Sequence, residues 1–170
     1  MQERALRRRC RQLLRELDIR PPLDVRELCR RLGAQRGRPI HLRPWPIEVP
    51  GPFGLWFKQD NADHIFYQQE TSGHHQDHII LHELGHMIAD HRSDEEDHEA
   101  WARLGDDIPP DAIRRALRRT GYNTKQEREA ELIATIILEW ANVPAGGPPP
   151  TLADPDVESV GNVLGHNQGW

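Results

Sequence analysis

The amino-acid sequence predicts an α+β fold, mostly helical overall, with a small and mostly antiparallel sheet. Three observations lead there. Apolar residues recur at helical spacing in several segments, and three short β-prone runs lie together between residues 39 and 67. The third is the run His82-Glu83-Leu84-Gly85-His86, set inside a stretch of helical periodicity. A chain of 170 residues is long enough to bury a core without disulfide staples. Mean hydropathy is low at −0.76, yet the regular periodicity argues against disorder.

Residues 3–17 place Leu6, Cys10, Leu13, Leu14 and Leu17 on one helical face, with arginines opposite. Pro21 and Pro22 end that helix. Asp24 then caps a second one, with Glu27 as its capping-box partner, Val25, Leu28, Cys29 and Leu32 as its stripe, and Gly33 as its expected stop. Pro39–Leu42, Phe53–Phe57 and His64–Tyr67 are the expected strands, the last two joined by a turn over 59–63. A helix is expected over 76–91. Another begins at Pro109-Pro110-Asp111 and ends at Gly121, and a long one runs from Thr124 to Ala141 with Glu127 in a capping box. Residues 1–143 thus read as one domain that includes the N-terminal helical pair (1–33). Residues 144–170 read as a Pro/Gly linker, AGGPPP, followed by a short helix opened by Asp154-Pro155.

Charge is uneven: residues 1–43 carry 13 Arg against 5 acids, net +8, and the remainder is net −13. Lysine occurs only at 58 and 125, so the basic front end reflects a general use of arginine on the solvent face of two packing helices. Direct nucleic-acid binding is not expected, because no third helix follows to enter a groove. MQERALRRRC lacks the apolar core of a signal peptide, and no run is long enough to span a membrane. With Cys10 and Cys29 on apolar stripes and no CxxC, a cytoplasmic location without a membrane partner is expected.

Histidine is the unusual count, with 10 in all and eight between His64 and His98. On a helix, His82 and His86 stand one turn apart on one face and can reach one ion. Glu83, rotated about 100° from His82, lies close enough to act as general base toward water. A catalytic zinc site takes three protein ligands. An HExxHxxGxxH extension would need histidine at 92, where Arg92 stands, so the third ligand is sought on a second helix, as in thermolysin-like zincins. Glu129 is the expected ligand. Leu132, Ile133, Ile136, Ile137 and Trp140 follow it at helical spacing, and a carboxylate on such a stripe needs a partner. Glu127 has its capping role, and Glu131 shares a polar face with Glu127, Arg128, Thr135 and Glu139. His91 extrapolates about 140° round the helix from His86, too far for the same ion. Tyr122, His98 and His91 are the candidate donors to a transition-state oxyanion.

Taken together, HELGH at 82–86, His91, and Glu127-Arg128-Glu129-Ala130-Glu131-Leu132-Ile133-Ala134 resemble the ImmA/IrrE family of metallopeptidases over roughly residues 20–143. The chain departs from that family's pattern at Ile133, where Phe is usual, and in lacking a Met-Pro pair after Leu138. The resemblance implies a zincin-like fold and a cytoplasmic zinc hydrolase, with Mn2+ or another divalent ion as alternatives. His82, His86 and Glu129 match the ligands and Glu83 the general base. It also implies a protein substrate, a helix-turn-helix repressor in a stress, mobile-element or toxin–antitoxin setting. The alternative is a zinc-containing binding module that sequesters a repressor or toxin without cleaving it.

Overall fold

Leucine and cysteine spacing builds the first two helices as expected. In the computed structural model, which describes residues 3–91, 108–119 and 121–142, α1 (Glu3–Glu16) buries Leu6, Cys10 and Leu14. Helix α2 (Val25–Arg36) buries Val25, Leu28, Cys29 and Leu32, and all seven join one core cluster. Burial pushes the thiols of Cys10 and Cys29 up to about 11 and about 12, so both behave as small inert hydrophobes.

The cap of α2 differs from expectation at both ends. Asp24 accepts from the backbone N–H groups of Arg26 and Glu27, but the Glu27 carboxylate bonds Arg30 and Arg31 rather than completing a capping box. Gly33 does not stop the helix. It lies inside α2, where a β-carbon would come within 2.9 Å of the Arg38 carbonyl oxygen. The stop is Gly37 at φ 64°, with Arg38 N–H donating to Gly33 O and Gly37 N–H to Ala34 O, a Schellman motif. Glycine serves at 33 for close packing and at 37 for left-handed backbone.

The sheet contains β1 (Ile40–Trp45), β2 (Gly54–Lys58) and β3 (Asp63–Gln68) in the order β1-β3-β2. The hairpin between β2 and β3 is antiparallel as expected. However, β3 inserts between β2 and β1 and runs parallel to β1, Ile40 against Asp63 through Trp45 against Gln68. The sheet is therefore mixed rather than mostly antiparallel. Every residue of β3 is buried because both faces of the sheet are covered. Trp56, Ile65 and Tyr67 face the large core, while Leu55, Phe57 and Phe66 face a smaller one. Ile113, Ala116 and Leu117 of α4 (Pro110–Arg119) complete the smaller core.

Asp63, at the start of β3, is fully buried and takes bonds from Arg36, Arg38 and the Trp56 indole N–H. Arg38 also donates to the carbonyls of Gln59, Asp60 and Ala62, which ties the hairpin turn to α2.

Helix α3 (Gly73–Ile88) runs through the centre, with Ile79, Ile80, Leu81, Leu84 and Met87 buried around it. Helix α5 (Thr124–Ala141) packs along it. Its cap lies one residue earlier than expected: Asn123 Oδ1 accepts from Lys125 and Gln126 N–H, and Gln126 Oε1 accepts from Asn123 N–H. The capping box is Asn123/Gln126, which leaves Glu127 without a capping role. No helix among the described residues is long and apolar enough to cross a membrane. The acidic stretch 93–99 and the expected linker and helix in 144–170 lie outside the described residues.

Candidate metal centre

Two helices meet backbone to backbone at this site. A β-carbon on Gly85 would lie 2.6 Å from the Ala130 carbonyl oxygen and 2.9 Å from its Cα, so only glycine permits this approach. Ala130 and Ala134 are fully buried on the seam. Glu127, three residues before Ala130, therefore projects from the same side of α5 over the histidines of α3.

The distances follow from that packing. Glu127 Oε2 lies 3.1 Å from His82 Nε2, Glu127 Oε1 lies 3.8 Å from His86 Nε2, and the two Nε2 atoms are 3.1 Å apart. Tetrahedral ligands about 2.1 Å from an ion stand about 3.4 Å from one another. Two imidazole nitrogens and a carboxylate at this separation fit that donor set, and His82, His86 and Glu127 can hold a metal ion.

The carboxylate brought to the histidine pair is that of Glu127, not the expected Glu129. The side chain of Glu129 is 19% exposed at the edge of the stripe, and its Oε2 lies 3.3 Å from His91 Nε2. A stripe carboxylate does find a partner there, but the partner is an imidazole. The signal for Glu127 was Ala130 and Ala134, two small residues four apart that mark the close face of α5, with HELGH supplying the opposing glycine.

His91 also departs from its extrapolated position because α3 stops early. Asp90 takes φ 54°, His91 N–H donates to His86 O, and Asp90 N–H to Met87 O, a Schellman turn with aspartate in the left-handed position. The turn folds His91 back, with its Nδ1 3.0 Å from His86 Nδ1. His91 is buried behind His86, away from the Nε2 side, so it is not placed to donate to substrate. Tyr122, the second candidate donor, stacks on His86 with ring centroids 3.6 Å apart and 15° between planes, and lines the cleft. His98 lies outside the described residues.

The cleft has a volume of about 370 Å3 and is lined by Phe53, Gly54, His78, Glu83, Tyr122 and Glu131 beside the ligand group. Glu83 is buried on its floor. Burial pushes its carboxyl up to about 8, the Glu127 charge adds to the rise, and a backbone hydrogen bond from Trp56 opposes it. Gly54 makes room for this carboxylate, since a β-carbon there would lie 2.7 Å from Glu83 Oε1. His86 is shifted down to about 3 by burial and by His82 and His91, which keeps it neutral. Burial alone would raise Glu131, but hydrogen bonds from His82 and His78 outweigh it and hold the carboxyl below its ordinary range.

No protein-family model, curated protein or solved structure matches the chain.

Proposed function

We propose that the protein is a zinc-dependent endopeptidase of zincin-like architecture, hydrolysing peptide bonds in a protein substrate. The observation that carries the reading is the group His82, His86 and Glu127 with the buried carboxyl of Glu83 beside it on the cleft floor. An ion such as zinc, held by those three side chains, would supply Lewis acidity toward a carbonyl and acidify water.

The chain's own residues supply the rest. Glu83 is buried beside the ligand group, where the positive charge of a bound ion would favour its ionised form, suited to take a proton from attacking water and return it to the leaving amine. Burial between α3 and Gly54 holds that carboxyl in place. Strand β2 pairs only with β3 among the described strands, and its first residue adjoins Glu83. An extended peptide added to this edge would pass its backbone across the cleft floor. Tyr122 lines the cleft against His86, and its hydroxyl is the donor proposed for the oxyanion. The motif resemblance supports a helix-turn-helix repressor as the substrate class.

The test is incubation of the zinc-loaded protein with an unfolded polypeptide and with any helix-turn-helix repressor encoded beside its gene. Wild type should cleave, and Glu83→Gln should bind zinc without cleaving. Cleavage by Glu83→Gln at the wild-type rate would overturn the assignment. Full regulatory function in a cleavage-dead variant would favour sequestration of the partner.

A further inference from the structure

His82 and His86 turn Nε2 toward Glu127, while each Nδ1 meets a different partner. We propose that His91 and Glu129 form a positioning relay that fixes His86 in the Nδ1–H tautomer. The proposal rests on the metal-centre reading for its purpose, but its proton assignment stands on hydrogen-bond geometry alone.

The assignment starts from the carboxylates, which only accept hydrogen bonds. Glu129 Oε2 lies 3.3 Å from His91 Nε2, so that nitrogen carries the proton. In a neutral imidazole the other nitrogen is then an acceptor. His91 Nδ1 is 3.0 Å from His86 Nδ1, so His86 must donate through Nδ1 and keeps its lone pair on Nε2. The rings of His86 and His91 are both buried, which keeps water from competing along this chain.

His82 stands between two carboxylates instead, with Glu127 Oε2 3.1 Å from its Nε2, so the relay assigns no tautomer to it. Glu131 Oε2 lies 3.2 Å from His82 Nδ1, while Glu131 Oε1 lies 3.1 Å from His78 Nε2. That nitrogen of His78 donates as well, which anchors Glu131 from a residue one turn earlier on α3.

With His86 as the Nδ1–H tautomer, its Nε2 lone pair joins the group of His82, His86 and Glu127 atoms that converge within 4.8 Å. A lone pair held ready on His86 Nε2 is what coordination of a cation requires of that ring. The relay also gives a purpose to the turn at Asp90, whose left-handed backbone delivers His91 to the back of His86. Glu127, Glu129 and Glu131 thus divide the work on one helix: the first faces the ion position, the second sets the His86 ring through His91, and the third holds the Nδ1 edge of His82.

The decisive test is nitrogen-15 to carbon-bound-proton correlation spectroscopy of the histidine rings in the full-length, metal-free protein near neutral pH. The expected pattern is a protonated Nδ1 and bare Nε2 on His86, and the reverse on His91. An Nε2–H tautomer on His86, or an Nδ1–H tautomer on His91, would overturn the relay. A second measurement compares zinc affinity by chelator competition in Glu129→Leu and Glu129→Gln. Leucine should weaken binding roughly 10- to 100-fold, and glutamine, whose Oε1 still accepts from His91, should recover most of it. No loss in Glu129→Leu, or equal loss in both, would contradict the relay. Wild type that shows the expected tautomers yet binds no zinc would support the relay and sink the metal-centre reading.

Discussion

Gly85 and Ala130 touch backbone to backbone, and this contact sets how closely α3 and α5 approach. It lies one residue before His86 and three after Glu127, so the separation of the helices sets the separation of the ligand atoms. Gly85→Ala should destabilise the metal-free protein by about 1–3 kcal/mol and weaken zinc binding as well. Urea unfolding and chelator competition check both effects. Gly73→Ala is the control, since a β-carbon there meets nothing within 4 Å. Its stability should stay level or rise by up to about 1 kcal/mol.

Glu83 predicts a pH dependence of opposite sign to that of an ordinary surface carboxylate. Burial pushes its carboxyl up to about 8 in the folded chain, against an ordinary 4.5 when unfolded. The folded chain therefore holds a proton that the unfolded chain has released. Stability from this group is full below about pH 4.5 and is lost as pH rises through about 8. Metal-free Glu83→Gln should gain on wild type between pH 5 and 8, by an amount on the order of a few kcal/mol. Urea unfolding across that range, with chelator present, checks it. A difference that stays flat with pH would contradict the burial account.

Asp63 carries the hairpin. Removing its charge leaves Arg36 and Arg38 without their shared partner and the Trp56 indole with a weaker acceptor. Both arginines reach water, so Asp63→Asn should cost about 3 kcal/mol, the low end for breaking a buried pair. Denaturant unfolding measures the loss, and zinc affinity of the folded fraction should not change.

Tyr122 separates packing from chemistry. Tyr122→Phe keeps the ring that stacks on His86 but removes the hydroxyl, so zinc affinity should hold while cleavage falls roughly 10²- to 10³-fold. Unchanged cleavage rates in this variant would remove Tyr122 as the oxyanion donor.

Much of this architecture was legible in the sequence, for physical reasons that differ from element to element. Apolar periodicity exposed α1, α2, α4 and α5 because each buries one face, and the β-prone runs exposed the hairpin. Periodicity says nothing about strand order, so the insertion of β3 beside β1 could not be read from it. HELGH placed His82, Glu83 and His86 because one helical turn fixes their geometry. Choosing among Glu127, Glu129 and Glu131 required knowing which face of α5 meets α3. Large apolar residues pointed to Glu129, whereas Ala130 against Gly85 decides the contact. His91 was misplaced by extending α3 through Asp90, since aspartate is a weaker helix-stop signal than the glycine at 37.

The central claim is that His82, His86 and Glu127 form one metal site served by Glu83, and zinc titration tests it most directly. Purified metal-free wild type, Glu83→Gln and Glu127→Gln should be titrated against a chromophoric chelator under one set of conditions. One zinc per chain is expected in wild type and Glu83→Gln, with an affinity loss in Glu127→Gln beyond the roughly 100-fold that an outer partner costs. Wild type that takes up no zinc, or Glu127→Gln that binds it as tightly as wild type, would contradict it.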